Sequence, residues 1–385
     1  MRKDRPISLI LMGILGLLLA ACTPTPEPSR ASIPVPPAQP QAIPTQAAPA
    51  PKPEEIAWSK VIQTSKNEGK VTAYSFNMTG DVGLAVSRSF EQIYGIKVDI
   101  ITGGGAALVQ RITTEKRMGT MVADVMDANT FQIGQLEDAG ITASSEDIPV
   151  LKETGVWIVE PWANSPKRHV LIHTITFYPN IINTDLVKPS DEPKSLKELT
   201  QAKWKGRMAV FDPRQNSTLS TAFPVFLNRK LIDQDTVQRL GMNDIKYYPV
   251  SDEAARNVIT GQEALYLLGS TGTMGSLITK AGVSVPVKAI DTEEGTLATN
   301  RAIGAIKDGP HPNAARVLIN WLLTQEGQNV FAKAQGVVPV RKDVPDFTPK
   351  ELRFTPSRLI IPTAEEEKDS TRLFREGWLA KLWGR

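Results

Sequence analysis

The sequence predicts an α/β protein built as two lobes, each a mostly parallel sheet flanked by helices. Three observations predict it. Strand-like and helix-like runs alternate three times between residues 70 and 140, with connections too short for anything but parallel neighbours. A second block after residue 160 repeats the alternation. The chain has 385 residues, 41% of them hydrophobic and 22% charged, which is enough material for two cores.

The first 54 residues stand apart from that pattern. A basic leader, "MRKDRP", precedes the 14-residue apolar run "ISLILMGILGLLLA", too short for a comfortable membrane span and suited to a signal peptide core spanning residues 1–21. The run ends in "LAAC", which resembles the lipobox of bacterial lipoproteins and makes Cys22 the expected lipid attachment site. A plain secretory signal with an incidental cysteine also fits the run. Against it stands the fact that Cys22 is the only cysteine in the chain, so it cannot staple an exported fold. Residues 23–53 hold 11 of the 29 prolines and no aromatic residue. Such a segment cannot bury enough apolar area to fold. As polyproline II it would reach at most about 95 Å, and residues 22–54 are expected to tether a globular head to a membrane.

From residue 55 the pattern becomes globular. A lead helix carries Trp58, Val61 and Ile62 and stops at Gly69. "KVTAYSF", "IKVDII" and "ADVMD" read as strands. The helix between the first two has Val82, Val86, Phe90 and Ile93 at helical spacing, and another follows through Leu108, Val109 and Ile112. In the second block "KRHVLIHTITFYPNIIN" is strand-rich, and Ser195 and Glu198 form a capping-box pattern. "GRMAVFDP", "IKYYPV" and "EALYLLGS" are strands. "GTLATNRAIGAIK" reads as a strand returning to the first lobe. "HPNAARVLINWLLTQEGQNVFAKAQG" is one long helical stretch. The expected divisions are residues 55–160 and 289–345 for the first lobe with its hinge helices, 161–288 for the second, and 346–385 for a C-terminal helical segment.

In open α/β sheets, ligands bind beyond the carboxyl ends of the strands. That rule selects Ser75 to Met78, Thr102 to Gly105 and Asp127 to Asn129 in the first block. In the second it selects Asp212 to Ser217, Ser251 and Asp252, and Ser270 to Thr273. Nearly all are small or polar, as a cleft for a small polar solute requires. Gly103 to Gly105 would let a guest approach amides at a helix N-terminus, which favour an oxyanion or a carbonyl oxygen. A tight turn with close helix-to-strand packing fits the same glycines.

Several other functions find no support in the residues. Net charge is only +3, with no basic cluster interleaved with aromatics, so nucleic acid is not an expected partner. "GGGAAL" satisfies neither the dinucleotide fingerprint nor the phosphate loop. No serine has a histidine convincingly placed beside it, so no catalytic residue and no cofactor are expected. His169 and His173 lie about 13 Å apart along a strand, too far to share a metal ion. Trp157 and Trp162 are expected to pack rather than sandwich a ligand.

The order of segments resembles the type 2 extracellular solute-binding proteins of ABC importers, in the branch serving ferric iron, thiamine and polyamines. The likeness rests on "KVTAYSF…AVSRSFEQIYGIKVDIITGGGAALVQRITTEKRMGTMVADVM", on "FYPNIINTDLV…PKSLKELTQAKWKGRMAVFDPRQNST" and on "GAIKDGPHPNAARVLINWLLTQEGQNVFAKAQGVVPVR". It implies a periplasmic-binding-protein type II fold: two lobes on a hinge, closing on a small molecule or ion and then docking on a membrane permease. By resemblance, Ser75, Asn77, Gly104, Gly105, Asp127 and Asn129 would bind ligand from the first lobe. Arg214, Asn216 and Ser217 would do so from the second. One departure stands out. Ferric members carry adjacent tyrosines where this chain has Ser270, Thr271, Gly272 and Thr273, and Tyr247 and Tyr248 lie one strand earlier. Hydroxyls at that place suit an oxyanion or polar organic solute, with no metal site expected. A monomer working with a permease is the expected assembly, and a sensor domain feeding a membrane signalling partner is the alternative.

Overall fold

The computed structural model describes residues 52–163, 165–215 and 218–383. The signal-like segment, Cys22 and nearly all of the proline-rich stretch lie outside the described residues, as do Asn216 and Ser217. The first described helix, Pro53–Glu68, begins three residues before Ile56 with a proline at its first position, where the missing N–H costs nothing. Among the described residues no helix is long and apolar enough to cross a membrane.

The chain then lays down β1 (Lys70–Ser75), β2 (Lys97–Thr102), β3 (Val125–Asn129), β4 (Thr142–Ala143) and β5 (Leu171–Tyr178). It continues through β6 (Asn180–Asn183), β7 (Met208–Phe211), β8 (Lys246–Tyr248), β9 (Leu265–Tyr266) and β10 (Val287–Ile290) to β11 (Thr296–Ile306) and β12 (Leu359–Ile360). They form two mixed sheets. The first runs β12-β11-β3-β1-β2, with β4 and β5 also on β11; the second runs β10-β6-β9-β7-β8. The fold is a two-lobed α/β architecture.

Parallel pairing brings strand tips together. In the first sheet Ser75 lies beside both Thr102 and Asp127, so three strand ends share one level. In the second, β7 is parallel to β8 and β9, which aligns the tips near Phe211, Tyr248 and Tyr266. Antiparallel strands make the crossing. β5 belongs to the first sheet and β6 to the second, and only Pro179 separates them. The strand-rich run that the sequence assigned wholesale to the second block is therefore split at Pro179. Its apolar pattern is the same in both sheets and could not reveal the change of partner. The chain returns through residues 291–295 to β11, which lies in the first sheet, is 11 residues long and buried throughout, and pairs with β5 along most of its length.

Two further elements differ from the sequence expectation. The long helical stretch after Pro312 is two helices, Pro312–Leu323 and Gln325–Gln335, because the Thr324 hydroxyl accepts the Gly327 amide and starts a new helix. The segment after residue 346 contributes β12 and the helices Ala364–Glu376 and Trp378–Trp383. Phe374, Leu379 and Trp383 from those helices enter the core of the second lobe, where Trp383 tilts against Phe223 with ring centres 4.9 Å apart. The first-lobe core gathers around Phe90, Trp321 and Phe331.

Candidate functional site

A cleft of about 500 Å³ opens between the strand tips of the two sheets. The first lobe lines it with Phe76, Asn77, Gly103, Gly104, Asn129 and Gln132. The second lobe contributes Ser251, Tyr266, Ser270 and Thr273, while Thr176, Tyr178, Thr299 and Arg301 come from the crossing strands β5 and β11. Hydroxyls and amides make up most of this wall.

The triple glycine resolves position by position. A side chain at Gly104 would meet nothing within 4 Å, and Gly104 is the N-cap of the helix Gly105–Met118. The space beside Gly104 is therefore open on its side-chain face, and the residue lines the cleft. Gly105 is different: a Cβ there would come within 3.0 Å of the Gln132 side chain, so this glycine serves packing. The close contact at Gly105 is thus with the helix Thr130–Asp138 and not with a strand.

Ser75 and Asp127, expected to touch ligand, lie beneath the cleft with no exposed surface. The Ser75 hydroxyl and the Asn77 side-chain amide (2.6 Å) both donate to the Asp127 carboxylate, and His173 Nε2 lies 2.7 Å from it. Burial alone would push this carboxyl up, but His173, Ser75 and Asn77 together hold it below the ordinary carboxylate value. The Ser75 Oγ also accepts the amides of Asn77 (3.1 Å) and Met78 (2.7 Å), which fixes the loop after β1. Asp127 and Ser75 thus set the position of Asn77, which does reach the cleft. Asp127 shares a face of β3 with Asn129 but sits two residues earlier, below the cleft rather than at its rim, and Ser75 lies at the same level on β1.

Of the second-lobe candidates, Arg214 is exposed and does not line the cleft. Its guanidinium is bound by Asp212 at 2.6 Å, two residues away. Ser270 caps the helix Thr271–Ala281 by accepting the Thr273 amide, and the Thr273 hydroxyl accepts a hydrogen bond from Ser251 (3.0 Å). Thr271 accepts the Phe177 amide (3.2 Å) and so ties this helix to crossing strand β5. Tyr247 and Tyr248 face opposite ways, one toward Trp383 and the other toward Glu263. Trp157 and Trp162 pack edge to face, 6.4 Å apart, away from the cleft.

Arg301 escaped the strand-tip rule because it lies in mid-strand. β11 slips its register against β5 between Arg301 and Ala302, and such a bulge re-aims a side chain. Arg301 is only 7% exposed; it donates to the Asn129 side-chain oxygen, to Tyr178 Oη (2.5 Å) and to Thr176 Oγ1 (3.5 Å). Its plane lies over the Phe76 ring, 4.9 Å from the centre. A signal for it existed: arginine in an apolar strand is buried only when partners await it. Tyr266 also faces the cleft; its hydroxyl lies 2.9 Å from Ser251 Oγ, and burial pushes its phenol well above the ordinary value.

A further lining residue comes from the C-terminal helix. Glu367 is 8% exposed, and burial pushes its carboxyl up to about 7 against the Arg301 charge and a hydrogen bond from the Phe131 amide. A raised carboxyl pKa means that the folded chain holds a proton which the unfolded chain has lost, from the ordinary 4.5 up to about 7. Stability therefore falls as pH rises through that window. Glu367→Gln is expected to gain on the order of 3 kcal/mol over the parent at pH 8 and almost nothing at pH 4. Urea unfolding at the two pH values checks this, and a gain that ignores pH would contradict it.

Residues 85–355 match the family described as bacterial extracellular solute-binding protein. An uncharacterized protein of Haemophilus influenzae is 21% identical over 276 residues, 69% of this chain and 76% of that one. Iron-bound HitA from Pseudomonas aeruginosa superposes with a TM-score of 0.64 at 21% identity, over 80% of this chain and 98% of HitA. The periplasmic binding protein AfuA from Actinobacillus pleuropneumoniae, solved with fructose-6-phosphate, gives 0.64 at 19% identity, over 80% and 98%. A substrate-binding protein of an ABC transporter from Agrobacterium tumefaciens gives 0.64 at 17%, over 81% and 94%. At these identities the likeness is one of fold: these neighbours are type II periplasmic binding proteins.

Proposed function

The chain belongs to the bacterial extracellular solute-binding proteins, and from that premise we propose that it captures a small polar or anionic solute between its lobes and hands it to an ABC import permease. The observation that carries this reading is Arg301: a buried guanidinium held by Tyr178, Asn129 and Thr176 at the meeting of the crossing strands, facing a cleft of hydroxyls and amides. Such a group, desolvated and fixed in place, favours an oxygen-rich partner that brings its own acceptors.

The mechanism is closure. The chain passes between the sheets at Pro179, after β5, and at residues 291–295, before β11, so rotation about these joins changes the gap between Asn77 and Gly104 on one wall and Ser270 and Thr273 on the other. A solute that touches both walls binds the closed state better than the open one, and that difference drives the shift. No chemical step on the solute is involved. The reading also bears on bare ferric iron, which the cleft is poorly built to hold. Arg301 would repel the ion, and burial keeps the Tyr266 phenol protonated. Anchoring through lipidated Cys22, with residues 22–54 as tether, is part of the proposal and rests on the "LAAC" sequence.

Melting temperature across a panel of sugars, sugar phosphates, carboxylates, phosphonates and chelated iron tests the proposal. A matching solute at a hundred times its dissociation constant should add about 2.7 kcal/mol of stability. A panel of that breadth with no upward shift would contradict the receptor reading.

A further inference from the structure

The helix Ala364–Glu376 begins beyond residue 355, where the family match ends. Glu366 grips the second lobe, taking hydrogen bonds from Arg229 Nε (2.8 Å) and Nη2 (2.6 Å). Successive helical side chains point about 100° apart. Its neighbour Glu367 can therefore reach elsewhere, and its carboxyl meets the Phe131 amide on the first-lobe wall of the cleft.

We propose that Phe131, Gln132 and Arg301 form an oxyanion subsite on that wall, and that Glu367 is its resident occupant, displaced by a solute bearing a carboxylate or phosphate. Three independent features converge on it. The helix Thr130–Asp138 has Asn129 at its N-cap, but the Asn129 side chain receives Arg301 and makes no capping bond. The first amides of that helix are left for another acceptor, and a carboxylate suits them. Arg301 uses one N–H of each terminal nitrogen on Asn129 and Tyr178, and each of those nitrogens carries a second N–H donor in the same fixed plane. Gln132 is 6% exposed, lines the cleft and has a buried side-chain amide oxygen with no hydrogen-bond partner. Its amide can rotate to donate instead.

A carboxylate bonded at a helix N-terminus, within the field of a guanidinium, has the chemistry of the solute such a subsite would take. Glu367 fills it weakly, because burial opposes its charge. A dianionic phosphate or a free carboxylate, which brings more acceptors to the same donors, displaces it. The proposal names the solute class for the cleft and rests on the reading of that cleft as the solute site.

Isothermal titration with inorganic phosphate, on the parent chain, Glu367→Ala, Glu367→Gln and the double variant Glu367→Ala with Arg301→Met, tests it. Emptying the subsite should tighten phosphate binding about tenfold or more in Glu367→Ala. Glu367→Gln should fall between that variant and the parent, and the gain should vanish in the double variant. Should Glu367→Ala fail to fold by circular dichroism, Glu367→Gln decides by the same comparison with the parent. Phosphate binding no tighter than the parent's, or a gain that survives Arg301→Met, would overturn the subsite. An Arg301-dependent gain in a protein that binds nothing from the solute panel supports the subsite and removes the receptor reading. A panel solute bound by the parent, with no phosphate gain in either variant, removes the subsite alone.

Discussion

Arg301→Met is expected to weaken solute binding by about a hundredfold or more, because two charge-assisted hydrogen bonds to a desolvated solute are each worth roughly 1.5–3 kcal/mol. Methionine keeps an unbranched apolar stem beside the Phe76 ring, over which the guanidinium now lies. The substitution therefore removes the charge and its donors while leaving the packing of β11 nearly filled. Tyr178 and Asn129 lose a partner, but both line the cleft, where solvent can replace it. Titration with the solute that raises the melting temperature, parent against variant, gives the ratio directly. Equal affinities would move the solute away from β11.

Asp127→Ala is expected to cost about 3–5 kcal/mol of stability, because it removes a buried carboxylate and leaves Ser75, Asn77 and His173 without their acceptor. Asp127 has no exposed surface and holds Ser75, Asn77 and His173 at once. His173 is equally buried and its Nδ1 already lacks a partner, so the substitution would leave the imidazole with neither nitrogen bonded. The pH dependence has a definite sign. The Asp127 carboxyl is held below its ordinary value, so its contribution is complete above the unfolded value near 4 and disappears as pH falls through the lowered one. Urea midpoints at pH 7 measure the loss, and a variant within about 1 kcal/mol of the parent would contradict the assigned role. Because the same carboxylate positions Asn77, the variant should also bind solute poorly where it still folds.

Much of this architecture is legible in the residues, for reasons that also mark where the reading stops. Parallel β-α units announce themselves by period, so β1, β2 and β3 and their helices are clear from Val71, Val82, Val98 and their neighbours. The strand-tip rule then finds Asn77, Gly104, Asn129, Ser270 and Thr273, all of which line the cleft. The rule also takes in Ser75 and Asp127, because it marks where a strand ends and not how far below the cleft each side chain lies. Arg214 was drawn in by its place after a strand, yet Asp212 two residues earlier already satisfies it. Arg301 depends on a bulge, and Tyr178 on the pairing of β5 with β11; neither pairing is encoded in any local window. Glu367 is further still from local inference: it reaches the cleft only because Phe374, Leu379 and Trp383, beyond the matched family region, have a core to enter.

Amide hydrogen exchange with saturating solute tests the central claim most directly. Protection is predicted to concentrate at three places: Asn77 to Thr79 and Gly103 to Leu108 on one wall, Ser270 to Met274 on the other, and Thr176 to Tyr178 with Thr299 to Arg301 where the chain crosses. Protection confined to one lobe, or appearing on surfaces away from these segments, would contradict capture between the lobes.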